Sequence, residues 1–221
     1  MQKFDTPAPI TAVLDIPVGR IQLIAAERAD TAVEVLPADP SNGRDVKAAE
    51  RTTVEYGDGV LRIESAVKNR VLGSSGVIEV TVQLPAGSRV EAKAASADFR
   101  GVGRLGDVVF EGSHGSVKLD ETASAHLTLL AGDVSVGCLG GPAEISTQKG
   151  DIHVTEATRG LVKLSTVSGD VTIGAARGVS ASLDAGTDRG RINNALKNAD
   201  GDAALNIHAT TTQGDIHARS L

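Results

Sequence analysis

Gly150-Asp151-Ile152-His153-Val154 is one copy of the pattern that decides the fold, a Gly-Asp pair followed by apolar, variable and apolar residues. Successive copies begin 17, 18, 19, 21 and 24 residues apart. A unit that recurs along the chain is typical of stacked structural repeats. The sequence therefore predicts a solenoid. The other copies of the pattern are Gly132-Asp133-Val134-Ser135-Val136, Gly169-Asp170-Val171-Thr172-Ile173, Gly214-Asp215-Ile216-His217-Ala218 and the degenerate Gly115-Ser116-Val117-Lys118-Leu119 and Gly190-Arg191-Ile192.

The composition favours an aliphatic core and disfavours nucleic acid as a partner. Apolar residues make up 41% of the 221-residue chain, whereas aromatic residues make up only 2%, so Val, Ile, Leu and Ala must fill the core. The formal net charge is -6, and the Lys and Arg residues are scattered singly. A phosphate-binding surface needs a clustered basic patch, so we expect no direct contact with nucleic acid.

The sequence also favours a cytoplasmic location without membrane contact. The single cysteine, Cys138, has no partner for an internal disulfide, and residues 1–7 contain no apolar run of signal-peptide length. No stretch approaches the roughly 20 apolar residues of a membrane-spanning helix. Location in the cytoplasm and absence of membrane binding are therefore expectations from the sequence.

Alternation of apolar and polar residues predicts strands before the repeat begins. The pattern runs through residues 10–16, 20–25, 32–36, 60–63, 77–84 and 89–94. Because these segments lack the Gly-Asp pair and resemble antiparallel strands, we expect residues 1–94 to form a β-rich cap on a solenoid of residues 95–221, in one continuous domain. One or two helical turns are predicted within residues 39–55, and a loop within residues 66–76.

A second strand is predicted before each Gly-Asp strand. Seven residues separate Ile145 from Ile152, whereas nine separate Ile207 from Ile216. A difference of two residues keeps the apolar side chains on the same face, so the sequence predicts later coils with a lengthened corner at residues 185–189. The second strands are expected at residues 127–129, 143–145, 162–164, 181–183 and 205–207. Parallel stacking about 4.8 Å apart gives an all-β, β-helix-like solenoid of short strands.

The chain resembles the bacterial putative-adhesin family of unknown function, whose repeats read Ser/Thr-x-x-Gly-Asp-Ile/Val-x-Val. The resemblance covers nearly the whole chain and implies a β-helix-like solenoid; it implies no catalytic or binding residues. The matching segments are Ser146-Thr147-Gln148-Lys149-Gly150-Asp151-Ile152, Ser165-Thr166-Val167-Ser168-Gly169-Asp170-Val171, Thr212-Gln213-Gly214-Asp215-Ile216 and Val80-Thr81-Val82-Gln83-Leu84-Pro85-Ala86-Gly87.

The aspartates Asp133, Asp151 and Asp170 are the candidate site residues, because neighbouring coils place equivalent positions about 4.8 Å apart. Retaining glycosidases use two carboxyl groups about 5 to 5.5 Å apart, and calcium also binds carboxylates. The absence of Trp argues against sugar stacking, and the 17 to 24-residue unit differs from the nine-residue calcium repeat. The favoured interpretation is that each Asp bonds a backbone N–H of its turn. No metal and no cofactor are therefore predicted.

The remaining chemical groups are interpreted as structural or solvated. All five histidines are expected on the surface, with His153 and His217 three coil steps apart and too distant to share a metal. Cys138 is expected as a small corner residue. Arg191 replaces Asp in its copy of the motif, between Asp170 and Asp215 in the sequence, so its guanidinium is expected near one or both carboxylates, or in solvent if the corner carries it away.

These features lead to a functional hypothesis. We expect a non-catalytic scaffold or protein-interaction module with an unknown protein partner, and whether the chain is an enzyme is left open. Outward rows such as Glu144, Lys163 and Ser182 suit a modest, wet interface. The alternative is an enzyme or binder that acts on a saccharide or another polar polymer along the Asp column. The oligomeric state is not predicted.

Overall fold

The computed structural model describes residues 1–65, 76–198 and 203–221. It confirms the all-β class, because the described residues form strands almost throughout and a single α-helix. The chain divides into two compact units, Met1–Gly115 and Ser116–Leu221. The predicted boundary between residues 94 and 95 rests on the repeat and stays a prediction, and most of the loop predicted at residues 66–76 lies outside the described residues.

The described residues of the first unit form eight strands and the helix. Every segment of alternating polarity predicted in this part of the chain forms a strand. Two further strands, β1 and β5, were not predicted from the sequence, because β1 is short and β5 directly follows the helix. The elements are β1 (Gln2–Asp5), β2 (Thr11–Asp15), β3 (Val18–Ala26), β4 (Asp30–Pro37), α1 (Gly43–Glu50), β5 (Thr52–Gly57), β6 (Val60–Ser65), β7 (Ile78–Pro85) and β8 (Arg89–His114).

Strand pairing in the first unit mixes two directions. Parallel pairing places β2 between β6 and β8, and places β3 between β7 and β8. Antiparallel pairing adds β5 to β6, β4 to β7 and β1 to β4. The expectation of an antiparallel region is therefore wrong for its centre, where parallel coils already stack, and right for its outer strands.

Helix α1 confirms the helical turns predicted within residues 39–55. Asn42 caps it by accepting the backbone N–H of Arg44 at 3.1 Å. In the first turn, the buried Asp45 carboxylate accepts the backbone N–H of Val77 at 2.9 Å and that of Asp39 at 3.3 Å. These bonds satisfy backbone donors that the helix end and the loop would otherwise leave unpaired.

The second unit has no aromatic residue in its sequence, and its described residues form ten strands. They are β9 (Val117–Ala131), β10 (Val134–Leu139), β11 (Ala143–Lys149), β12 (Ile152–Ala157), β13 (Gly160–Ser168), β14 (Val171–Ala175), β15 (Ala181–Arg189), β16 (Ile192–Ala195), β17 (Leu205–Gln213) and β18 (Ile216–Ser220). All their pairings are parallel. This confirms the predicted stack of short parallel strands.

The spatial order of the coils differs from their order in the sequence. One face runs β9, β11, β13, β17, β15. The other runs β9, β10, β12, β14, β18, β16. The last coil of the chain, formed by β17 and β18, therefore lies between the two coils that precede it.

The register shows that the predicted lengthened corner is wrong. Ile207 pairs with Val162 and with Leu183. Nine positions separate Val162 from Val171, Leu183 from Ile192, and Ile207 from Ile216. Ile216 in turn pairs with both Val171 and Ile192. The path around the coil is thus constant, and residues 185–189 belong to strand β15.

The core of the second unit is built of aliphatic columns, as the composition predicts. In the column that begins at Val117, the side chains of Val134, Ile152, Val171 and Ile216 are all buried. Burial of such side chains contributes about 1.5 to 3 kcal/mol each. Stacked columns therefore replace the aromatic core that the sequence lacks.

Candidate functional site

The candidate aspartates lie in one column at a corner of the second unit. Pairing of the strands that follow them sets the order Asp133, Asp151, Asp170, Asp215 and finally Arg191. Asp133, Asp151 and Asp170 are exposed, and Asp215 is half-buried. The structure therefore brings together all three carboxylates predicted from the sequence and adds a fourth.

Each aspartate in the column holds the next coil by a hydrogen bond. The Oδ1 atom of Asp133 accepts the backbone N–H of Asp151 at 2.9 Å, and that of Asp151 accepts the N–H of Asp170 at 2.7 Å. Asp170 accepts the N–H of Asp215 at 2.7 Å, and Asp215 accepts the N–H of Arg191 at 2.8 Å. We call this chain of bonds the Asp ladder. The prediction that each Asp bonds a backbone N–H of its own turn is therefore wrong, because the donor lies in the neighbouring coil.

The glycine before each aspartate is required by both its conformation and its surroundings. Gly150, Gly169 and Gly214 have φ angles of 142°, 154° and 148°. A Cβ on Gly169 would lie 2.0 Å from the carbonyl oxygen of Gly150, and one on Gly214 would lie 2.0 Å from that of Gly169. No side chain fits at this distance, so the glycine column permits close stacking of the corners.

Threonines three residues before the glycines form a second ladder, in which Thr166 and Thr211 are buried and Thr187 is half-buried. Thr166 donates its hydroxyl to the carbonyl of Gly150, Thr211 to that of Gly169 and Thr187 to that of Gly214, each at 3.0 Å. The hydroxyl satisfies a corner carbonyl. Sequence reasoning found Thr-x-x-Gly-Asp as a family pattern but did not find this role, because the acceptor belongs to a different repeat.

The chemistry of this corner is consistent with backbone support. The Oδ1 atoms of Asp133, Asp151 and Asp170 already accept backbone N–H groups. Among the described residues, no group of three or more His, Cys, Asp or Glu side chains is placed to hold a metal ion. A catalytic or sugar-binding role for these three aspartates stays an untested prediction.

The histidines are all exposed, as predicted, but their spacing differs from the prediction. His153 and His217 both pair with Thr172 and are thus two coil steps apart rather than three, because β18 lies directly beside β14. Two steps correspond to about 10 Å, which is still too far for a shared metal. His126 Nδ1 lies 3.9 Å from Glu144, and His208 Nδ1 lies 3.3 Å from Asp184.

Cys138 lies in strand β10 and not in a corner, which corrects the prediction. It is half-buried and pairs with Glu121 and Glu156 on the two flanking strands. Burial, followed by the negative charges of Glu156 and Glu121, raises the pKa of the thiol. A protonated thiol is a poor nucleophile, so the environment of Cys138 argues against a catalytic role.

Arg191 and Ser182 lie elsewhere than the sequence order predicts, because the coils are not stacked in that order. Arg191 follows Asp215 at the end of the column and not Asp170, and it is exposed, as the alternative of a solvated guanidinium predicts. Ser182 lies beside Asn206, with its hydroxyl 2.8 Å from the amide oxygen, and not in the row of Glu144 and Lys163. That row continues to His208 and Asp184.

A neutral outward surface on strands β9, β11, β13 and β17 was not identified from the sequence. Two adjacent rows carry eight side chains without charge, which we call the neutral face. Exposed fractions of 45% for Leu130 and 52% for Val167 make it partly apolar. Hydroxyls of neighbouring strands lie 3.4 and 3.2 Å apart within it. The neutral face consists of Thr128, Ser146, Ser165, Thr210, Leu130, Gln148, Val167 and Thr212.

The first unit contains a shallow cleft of about 210 Å³ near Gly19, Ala97 and Gly115. It lies along a corner where two of the three residues have no side chain. A Cβ on Gly115 would lie 2.0 Å from the carbonyl oxygen of Ala97, so close stacking of the backbone explains these glycines. The cleft is therefore a consequence of how the corner is packed.

No helix in the described ranges combines the length and apolar character needed to cross a bilayer. The model of the Toastrack DUF4097 family matches residues 14–220. No curated protein matches the sequence.

Three solved structures match the chain at low sequence identity. A putative adhesin from Bacteroides fragilis is 12% identical, with a TM-score of 0.47 over 98% of this chain and 95% of its own. A putative adhesin from Parabacteroides distasonis is 14% identical, with a TM-score of 0.44 over 98% and 95%. A putative cell adhesion protein from Clostridium sporogenes is 13% identical, with a TM-score of 0.40 over 100% and 98%.

Proposed function

The chain belongs to the Toastrack DUF4097 family, and we propose that it is a non-catalytic module that binds another protein through the neutral face. The observation that supports this proposal is the distribution of charge around that face. Eight outward positions on four consecutive strands carry no charge. Interface centres are depleted of charged residues in the same way.

Charged side chains border the neutral face on both sides. One border is the row that contains Glu144 and Lys163, and the other is the Asp ladder, with Asp151 and Asp170 exposed. A neutral centre with a polar rim is the usual anatomy of a protein interface. The rim would orient the partner by charge, while Leu130 and Val167 supply exposed apolar area.

The size of the neutral face predicts a modest affinity. Four strands at about 4.8 Å spacing place the outermost strands about 14 Å apart. A stable interface buries about 800 Å² per partner, so the partner must also contact the rim. Contacts to the rim are exposed to solvent and screened by salt, so we expect binding that weakens as the salt concentration rises. The proposed location remains the cytoplasm.

Matched double substitutions test this proposal. Thr128→Lys with Ser165→Lys places two charges on the neutral face, two strands apart. Ser135→Lys with Thr172→Lys makes the same chemical change on the other face, also two strands apart. Proteins captured from a lysate of the native host by each variant would be compared by mass spectrometry with those captured by the parent.

We expect that a protein captured by the parent and by the variant of the other face is not captured by the neutral-face variant. Thermal melts of both variants must match the parent, since all four substituted side chains point outward. Capture that survives in the neutral-face variant, or that is lost equally in both variants, contradicts the proposal. The alternative of action on a saccharide along Asp133, Asp151 and Asp170 has no observation in its favour.

A further inference from the structure

Strands β15 and β16 form an edge of the second unit, where the first backbone N–H of β15, that of Ala181, is bonded to the Lys197 carbonyl at 3.1 Å. Among the described strands, β15 pairs only with β17, and β16 pairs only with β18. The nine residues of β15 make this a long edge. Long, flat edges with unpaired backbone groups readily pair with the edge of another molecule, so natural proteins modify them.

The side chains in the core register become smaller and then polar towards this edge. The inward column that holds Leu119, Val136, Val154 and Ile173 continues to Ala218 and ends at Asn194. Asn194 is exposed, although its register is that of a core residue. Its Oδ1 atom accepts the backbone N–H of Leu196 at 3.0 Å, so a strand that paired with β16 would take the NH2 group of the amide away from water, which is unfavourable.

The Asp ladder also ends at this edge. At every inner level a carboxylate oxygen accepts the backbone N–H of the next coil, and the last acceptor is Asp215. The outermost position is Arg191, which is exposed and has no acceptor atom in its side chain. An added strand would find a positive charge in place of the carboxylate.

We propose that Arg191 and Asn194 form a polar end-stop that prevents the β15–β16 edge from pairing with the edge of a second copy of this chain. The two residues interrupt two independent columns at the same coil, one at the corner and one in the core register. Ile192, between them, is 45% exposed and supplies the apolar surface that such pairing would otherwise bury.

The test replaces the end-stop and compares it with a control of identical composition. Arg191→Val with Asn194→Val extends both columns with apolar side chains. Asn193→Val with Arg219→Val makes the same changes at outward, exposed positions of β16 and its neighbour β18. Light scattering after size exclusion would measure the mass of parent and variants from micromolar to millimolar concentration.

The end-stop variant should rise in mass with concentration, while the control keeps the mass of the parent. A control that associates as strongly, or an end-stop variant with the parent's mass at every concentration, overturns the proposal. Hydrogen exchange of the parent gives a second measurement that needs no variant. Its amides in β15 should exchange at the same rate at all concentrations, and protection that grows with concentration would also overturn the proposal.

Discussion

Removal of the Asp151 carboxylate tests whether the Asp ladder holds the coils together. Asp151→Ala removes the acceptor of the Asp170 N–H bond, which is 2.7 Å long. A bond to a charged acceptor contributes about 1.5 to 3 kcal/mol, but exposure of Asp151 to water lowers this to about 1 kcal/mol. The substitution also relieves repulsion from Asp133 and Asp170, by a few tenths of a kcal/mol. We therefore expect a net loss of about 0.5 to 1 kcal/mol.

Urea unfolding of Asp151→Ala, Asp151→Asn and the parent would measure this loss. Asparagine keeps an oxygen that can accept the N–H of Asp170 and removes the charge, so its free energy of unfolding should stay within about 0.5 kcal/mol of the parent. High salt screens the repulsion but not the bond, so the deficit of the alanine variant should persist or grow. Equal deficits for alanine and asparagine, or none for alanine, would refute the reasoning.

Two further predictions concern the corner and the core. Gly169→Ala should lower the free energy of unfolding by at least about 3 kcal/mol, because its Cβ would lie 2.0 Å from the Gly150 carbonyl oxygen; Gly186→Ala, with no atom within 4 Å, should change it by less than about 0.5 kcal/mol in the same urea titration. Ile152→Asp buries an unpaired carboxylate and should unfold the protein, whereas His153→Asp, one residue on and exposed, should melt close to the parent temperature; equal melting losses would show the inward register to be wrong.

The elements and their inward faces could be predicted from the sequence because both depend on local patterns. Alternation with period two fixes which side chains can share a face, so Ile152 was assigned to the core and His153 to the surface from neighbouring residues alone. The position of the corner could also be predicted from the sequence, since only glycine tolerates the positive φ at Gly150. Each of these features is decided within a few residues.

The order of the coils could not be predicted, because it depends on which repeat pairs with which. Every repeat presents the same register, so Asp215 suits the position beside Asp170 as well as Arg191 does. Placement of Asp215 there supplies a carboxylate that accepts the backbone N–H of the next coil, and it moves Arg191 to the edge, where its charge remains in water. The favourable order follows from the energies of nonlocal contacts, which the spacing of the motifs does not contain.

Contacts between coils account for the most regular motif of the chain without a ligand. In Thr-x-x-Gly-Asp, each of the three specified residues acts on another coil: Thr166 bonds the carbonyl of Gly150, and Asp151 bonds the backbone of Asp170. The glycine lets two backbones approach. Selection for stacking alone would therefore repeat the motif in every coil. A binding surface needs only to be compatible with that stack, and the neutral face meets this condition because its side chains point away from all three of the motif's bonds.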